Sequence, residues 1–143
     1  MGPFGALVTL QYGLTAAPAS QPRNIILGQC VAGAISLIFT YVPTKVLKPW
    51  LRMALAPAVS IGIMARLGIV HPPAGAAAVA LSSGRYNWIY YFLFLLCNCL
   101  SLVPAIAINN MSEKRQYPTY WGIPWCCSRS FFSKAKTHLP ANI

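Results

Sequence analysis

The segment His71-Pro72-Pro73-Ala74-Gly75-Ala76, followed by small residues up to Ser83, decides how this chain can fold. It lies in an apolar region, between two stretches with the length and composition of membrane spans. Two consecutive prolines have no backbone N–H groups, so they fit the first turn of a helix and not its interior. The pattern therefore predicts a short helix that begins abruptly, within the membrane region, directly after a histidine. The alternative is that the two prolines only kink a helix or end a loop.

A helix that begins inside a membrane protein is a candidate ligand site. Its first backbone N–H groups have no partner within the helix, and its start carries partial positive charge. Both features favour a bound anion. Gly75 would let a ligand approach the backbone closely, and His71 could donate a hydrogen bond or a proton.

The composition indicates an integral membrane protein. Hydrophobic residues make up 57% of the 143 residues and charged residues only 8%, whereas soluble domains carry roughly 25% charged residues. Glu113 is the only acidic residue of the sequence, and the formal net charge is +10. The basic residues flank the apolar runs, as in membrane proteins, and form no stripe with interleaved aromatic residues. We therefore expect a lipid bilayer as partner and no nucleic acid.

Residues that carry metal or enzyme chemistry are sparse. The five cysteines include no C-x-x-C pair, and His71 and His138 are far in sequence from the cysteine pairs. No metal site and no cofactor is therefore expected. A membrane enzyme would need a nucleophile–base pair or a metal cluster, and no apolar run contains a carboxylate. The sequence predicts that this chain is not an enzyme.

The fold class predicted from the sequence is an all-α membrane protein. Full transmembrane helices are expected at about residues 24–43, 50–70 and 87–109, each close to the 20 or so residues that a span needs. Two shorter half-helices are expected at 3–13 and 73–83. Together they form a predicted transmembrane domain over residues 1–125. Residues 126–143 are a predicted flexible basic tail.

Several side chains in these spans give more specific expectations. Asn24 can cap the first span, and Gln29 within it forms either an interhelical hydrogen bond or a transport ligand. Arg52 and Arg66, near the ends of the second span, can extend to the membrane surface. The aromatic and basic segment after the third span is expected to lie at that surface. A stripe of small residues in the second span favours close packing against a neighbouring helix: Ala54, Ala58 and Gly62.

The two short helices suggest an internal repeat. Both begin with Pro-x-Gly-Ala, at Pro3-Phe4-Gly5-Ala6 and at Pro73-Ala74-Gly75-Ala76, and each ends in a glycine and is followed by a full span. The second copy is also preceded by a span, and the first copy is not. Repeats of this kind commonly place a substrate site between broken helices. If the repeat is real, a first span is missing from this sequence.

The residues HPPAGAAAVAL, together with the upstream GPFGALVTL and QPRN and the downstream INN and KRQYPTYW, resemble the HPP family of integral membrane proteins. The resemblance covers roughly residues 2–125. It implies a four-span bundle, here without its first span, and a plant plastid branch of the family is associated with nitrite transport. It places the family signature on these residues: Pro3, Gly5, Ala6, His71, Pro72, Pro73, Gly75 and Ala76.

The leading functional hypothesis is a transporter or channel for a small monovalent inorganic anion such as nitrite. The two half-helix starts are expected to face a common polar cavity, with His71 at its edge. A non-transporting structural or assembly subunit, or a truncated product, is the alternative, and a homo-oligomer is left open. The compartment is also left open between plastid, other organelle and plasma membranes. The predicted substrate-binding residues are Pro3, Phe4, Gly5, Ala6, His71, Pro73, Ala74, Gly75 and Ala76.

Overall fold

The computed structural model describes residues 2–112 and 115–122, and within them the chain is helical throughout, with no strand. The predicted tail, 126–143, lies outside the described residues. The elements are α1 (Gly2–Gly13), a 3₁₀ turn (Pro18–Ser20), α2 (Pro22–Thr40), α3 (Pro49–Leu67), α4 (Pro72–Ser82) and α5 (Trp88–Asn110). The predicted all-α class is confirmed.

Helices α2, α3 and α5 are each long and apolar enough to cross a membrane. The outer surface of α5 carries large apolar side chains that are more than half exposed, including Phe92, Leu96 and Val103, as expected for contact with lipid. Helices α1 and α4 are too short to span. Whether they are re-entrant halves of a repeat stays a prediction.

Proline sets where these helices begin. Helices α2, α3 and α4 each start on a proline, which lacks the N–H that the first helical position leaves unpaired. The expectation that Asn24 caps α2 is wrong, because the helix begins earlier, at Pro22, and its N-cap is Gln21. Asn24 lies inside the helix, and its side-chain amide donates to the carbonyl oxygen of Pro18 over 2.9 Å.

Helix α4 lies at the centre of the fold, packed against α1, α2 and α3. Its buried surface consists largely of small side chains, so the neighbouring helices can approach its backbone closely. Ala74 and Ala78 pack with Ala32 of α2 and Met64 of α3 in one apolar cluster. At the other end of α4, Leu81 packs with Leu37 of α2 and Tyr91 of α5.

A buried arginine joins the far ends of α2 and α4. Arg52 of α3 is only 4% exposed, so the expectation that it extends to the membrane surface is wrong. Its guanidinium donates to the carbonyl oxygens of Thr40 at 3.4 Å and Ser83 at 3.3 Å. Those carbonyls close α2 and α4, where the helix dipole places partial negative charge. Two helix ends therefore take the place of a carboxylate partner.

The small-residue stripe of α3 does not pack against another helix of the described chain. Ala54, Ala58 and Gly62 are all exposed, and a Cβ atom on Gly62 would meet nothing within 4 Å. Only the opposite face of α3 is buried, through Arg52 and Ser60 among others. The stripe is thus open to lipid or to another polypeptide.

The segment after α5 folds back onto the bundle and does not simply lie at the membrane surface as expected. Tyr117 is fully buried beside Leu7 of α1 and Ile25 of α2. Its hydroxyl donates to the carbonyl oxygen of Ser20 over 2.7 Å. Burial raises the pKa of Tyr117 to about 12, so the hydroxyl keeps its proton and remains a donor. This hydrogen bond therefore anchors the segment after α5 to the 3₁₀ turn.

Replacing Tyr117 by Phe should lower the free energy of unfolding by about 1–3 kcal/mol, because the buried Ser20 carbonyl loses its donor. The measurement is unfolding of the purified protein in detergent, followed by intrinsic fluorescence. Tyr120→Phe is the control, since Tyr120 is only partly buried in the same segment. Equal stability of the two variants would contradict the role assigned to the Tyr117 hydroxyl.

Candidate ligand site in the bundle interior

His71 stands at the N-cap of α4 and is completely buried. Its ring nitrogen Nδ1 lies 2.7 Å from the carbonyl oxygen of Ala19 in the 3₁₀ turn. A carbonyl can only accept, so Nδ1 carries the hydrogen and donates. In the neutral ring Nε2 then carries a free lone pair, and this nitrogen is buried with no hydrogen-bond partner. The site therefore presents an unused acceptor at the start of α4.

The position of His71 depends on Gly28 of α2. A Cβ atom on Gly28 would lie 2.8 Å from the Cβ of His71 and 3.3 Å from the carbonyl oxygen of Ile69. Real Cβ contacts are not this short, so only glycine lets the chain before α4 lie directly against α2. The abrupt helix start predicted from the two prolines therefore also depends on a close contact with the backbone of α2, which the sequence alone does not reveal.

The start of α4 offers few backbone donors. Pro72 and Pro73 have no N–H, and the N–H of Ala74 already donates to the carbonyl oxygen of His71 over 2.9 Å. Gly75 and Ala76 follow inside the helix, where N–H groups bond to the preceding turn. The terminus thus contributes its dipole to a ligand site, whereas hydrogen bonds must come from side chains.

The structure does not bring the two Pro-x-Gly-Ala segments together. Pro3 and Phe4 line an apolar cavity of about 60 Å³ with the second half of α4, at Ala77 and Leu81 among others. His71 lies at the opposite end of α4, beside the 3₁₀ turn that follows α1. Helix α4 has 11 residues, and a rise of 1.5 Å per residue separates its ends by about 16 Å.

The remaining predicted site residues differ in exposure. In α1, Gly5 and Ala6 are exposed. In α4, Pro73, Ala74 and Gly75 are buried, and Ala76 is exposed. The absent Cβ of Gly75 faces Ile61 of α3 at 3.4 Å, so its bare backbone lies against another helix. The assignment of these residues to substrate binding stays a prediction.

A second group of polar side chains, which sequence reasoning missed or left open, is buried between the helices. Gln29 of α2 is 1% exposed, and neither its Nε2 nor its Oε1 has a partner. Asn98 of α5 is also 1% exposed, with Nδ2 donating to the carbonyl oxygen of Phe94 over 2.6 Å and Oδ1 unpaired. Gln11 of α1 donates from Nε2 to Oγ of Ser101 over 3.1 Å and keeps Oε1 unpaired.

The side chains of Gln29 and Asn98 lie at about the same height along the axis of the bundle. Ile25 of α2 packs with Leu102 of α5, and about two turns further along α2 a Cβ atom on Gly33 would touch the ring of Tyr91. The two helices therefore run antiparallel, and Gln29 lies between these contacts at about the level of Asn98. Both residues lie within one turn of the midpoints of their helices. Gln29 also directly follows Gly28, which holds His71.

The polar groups at this level are neutral amides, a hydroxyl and an imidazole. Within residues 2–112 and 115–122, no three His, Cys, Asp or Glu side chains lie close enough to hold a metal ion together. The chemistry available at this level is therefore hydrogen bonding and proton exchange on His71.

Comparison with known proteins fits this architecture. Residues 1–118 match the model of the HPP transmembrane region. This chain belongs to the HPP family. Two proteins of Dictyostelium discoideum, both described as transmembrane proteins, are 31% and 34% identical to this HPP protein, in each case over 85% of the chain. The chain spans 41% and 45% of the length of these relatives. No solved structure matches it.

The contact between Gly28 and His71 in this HPP protein can be tested by a matched pair of variants. Gly28→Ala should lower the free energy of unfolding by about 1–3 kcal/mol relative to Gly62→Ala, because only the first new methyl meets buried atoms. Both variants gain the same helix propensity, so their difference isolates the clash. Thermal unfolding in one detergent measures both, and indistinguishable unfolding temperatures would refute the close contact.

Proposed function

We propose that this chain forms the pathway of a transporter or channel for a small monovalent inorganic anion, with nitrite as the first candidate. The proposal is supported mainly by one observation, the buried and partly unpaired polar groups of Gln29, Asn98 and His71 at one level of the bundle. Burying a polar group without a partner costs about 1–3 kcal/mol by protein mutational data. Polar residues retained at such cost inside a membrane domain usually serve a pathway or a site.

The charge distribution favours an anion over a metal cation or an organic cation. The sequence has a single acidic residue, Glu113, and none in residues 2–112, so no carboxylate on the five helices repels an anion or binds a cation. Basic residues stand near the helix ends, at Lys45 and Lys48 before α3 and at Arg85 after α4. Such residues raise the local concentration of anions at a pathway mouth.

The choice of nitrite rests on the family resemblance. Amides and an imidazole recognise small hydrogen-bonding molecules, and the interior described above is densely packed with alanine and glycine around α4. The proposal includes no catalytic step, because the interior polar groups form no nucleophile–base pair.

A second function is favoured by the outward stripe of α3. Ala54, Ala58 and Gly62 form the kind of surface on which another membrane helix packs. The alternative is therefore a structural or assembly subunit, in which this stripe binds a partner helix and the chain carries no solute. A homo-oligomer is one form of this alternative.

A flux assay separates the two functions. The purified chain in proteoliposomes should take up nitrite faster than protein-free vesicles, and uptake should be compared with nitrate, chloride and formate. The uptake by protein-free vesicles is subtracted in each case. Flux of none of these anions above that of protein-free vesicles would refute the transport proposal and leave the structural one.

Asn98→Leu should lower nitrite flux about tenfold or more, because it replaces a buried amide at the level of Gln29 by an apolar side chain. Cys99→Leu is the matched control, since Cys99 is the next residue of α5 and is exposed on its outer surface. Both proteins must insert and elute as folded monodisperse species. Wild-type flux in the folded Asn98 variant would contradict the proposed position of the pathway.

A further inference from the structure

The unpaired polar atoms of the interior are mostly hydrogen-bond acceptors. Among the described residues, seven buried side-chain atoms have no partner: two donors, Nε2 of Gln29 and, by the far ends of α2 and α4, Nε of Arg52, and five acceptors. The acceptors are Oε1 of Gln11, Oδ1 of Asn24, Oε1 of Gln29, Oδ1 of Asn98 and Nε2 of neutral His71.

Their identity as acceptors follows from the partners of the adjacent atoms. The other amide atoms of Asn24 and Asn98 lie 2.9 Å and 2.6 Å from backbone carbonyl oxygens, which can only accept, so those atoms are the nitrogens. Ser101 donates its hydroxyl hydrogen to the carbonyl oxygen of Asn98 over 2.7 Å and so accepts from Nε2 of Gln11. In Gln11, Asn24 and Asn98, the amide atom without a partner is therefore the oxygen.

An acceptor-rich interior does not suit a bare anion. Nitrite, nitrate and formate bring only acceptor oxygens, and these would face unpaired lone pairs with a single amide donor to bind them. A buried charge also needs a partner of opposite charge. The same interior suits an anion that arrives with one proton, because the proton supplies the missing donor and cancels the charge.

We propose that the anion crosses this chain together with one proton, and that Nε2 of His71 holds that proton while the anion is in the interior. This rests on the transport function proposed above. The proton leaves an oxygen of hydronium or of the neutral acid and forms an N–H bond at Nε2. On the other side that N–H bond breaks and the proton leaves with the anion. His71 returns to its neutral form, and one anion and one proton have moved with no net charge.

The contacts of His71 restrict proton binding to one of its two ring nitrogens. The ring is fixed through Nδ1 to Ala19 and packed on Gly28, so only Nε2 is free to gain a proton. Asn24 donates to Pro18, the neighbour of Ala19, so its unpaired Oδ1 and the ring share the same 3₁₀ turn. A protonated ring would thus find acceptors nearby but no negative charge.

The titratable or charged groups on the elements around His71 supply no such charge either. Tyr117 uses its hydroxyl on Ser20. Helix α2 carries Arg23 in its first turn and the thiol of Cys30, and α3 carries Arg52 near its start and Arg66 in its last turn. None is a carboxylate that could neutralise a protonated imidazole. The proton is therefore stable on His71 only when the anion is present, which makes the binding of the two reciprocal.

Nitrite uptake and proton movement in the same proteoliposomes test this proposal. Vesicles contain a pH-sensitive dye, nitrite is added outside, and uptake is recorded with an inward proton gradient or with a valinomycin-clamped potassium potential. The flux of protein-free vesicles is subtracted, because nitrous acid crosses lipid by itself. Nitrate is measured in parallel, since nitric acid is a strong acid and does not cross lipid in this way.

The expected result is acidification of the vesicle interior with a stoichiometry of one proton per anion, uptake driven by the pH gradient, and no response to the potential. Uptake that follows the potential and moves no protons would overturn the coupling and leave the transport function intact. Flux of no anion at all would overturn both. If water alone occupies the interior, no anion-dependent proton signal appears, which also refutes the coupling.

Two variants of His71 locate the proton. His71→Asn keeps an amide that can donate to Ala19 and removes the group at Nε2, whereas His71→Gln places a group that cannot be protonated near Nε2. Both should lower proton-coupled uptake about tenfold or more. If either folded variant keeps wild-type anion-dependent acidification, His71 is not the proton carrier. Thr9→Val is the control, because Thr9 is exposed on α1 and bonds only within its own helix.

Discussion

The close packing of α4 against α2 and α3 is the constraint on which the rest of the structure depends. Helix α4 can be central because its buried side chains are mostly small, including Ala74, Ala77 and Ala78, with Gly75 and Pro73 at its start. Small side chains let three helices reach its backbone, and dispersion forces then act over many short contacts. Because α4 is short, its two ends lie inside the fold, and each end needs polar partners there. At the C-terminal end Arg52 donates to the carbonyl oxygen of Ser83, whereas at the N-terminal end Pro72 and Pro73 have no N–H that would need a partner.

The two ends of α4 also show how far the sequence predicts this structure. The double proline fixes the start of the helix, and apolar length fixes the three long helices, because both signals are local. Burial of Arg52 and Tyr117 was not predictable from local pattern, because each is buried by segments distant in sequence. The same applies to the placement of α1 beside α4, where Pro3 and Phe4 at the start of α1 lie against Ala77 and Leu81 in the second half of α4.

The candidate site was predicted only in part. His71 was found because it precedes the two prolines, and its complete burial agrees with a special environment. The sequence leaves open whether Gln29 has a structural or a ligand role, and in the structure its side-chain amide makes no hydrogen bond to another helix. In the sequence, Asn98 is only one polar residue within an apolar span. No sequence signal tells which buried amides find partners, since pairing depends on register between helices.

Charge explains why the interior is built from neutral groups. With one acidic residue in the whole sequence, an interior cation has no carboxylate to pair with, and Arg52 is accommodated only at two helix ends. Within the described residues the ring of His71 bonds one carbonyl, that of Ala19, so a permanent charge there would be poorly compensated. In the proposed coupling an imidazole avoids that cost, because it is neutral when alone and cationic only beside the anion. A lysine or arginine at position 71 could not change its state in this way, and an amide could not hold a proton. Among common side chains, histidine is therefore the one that fits both the apolar packing of α4 and the proposed uptake of an anion together with a proton.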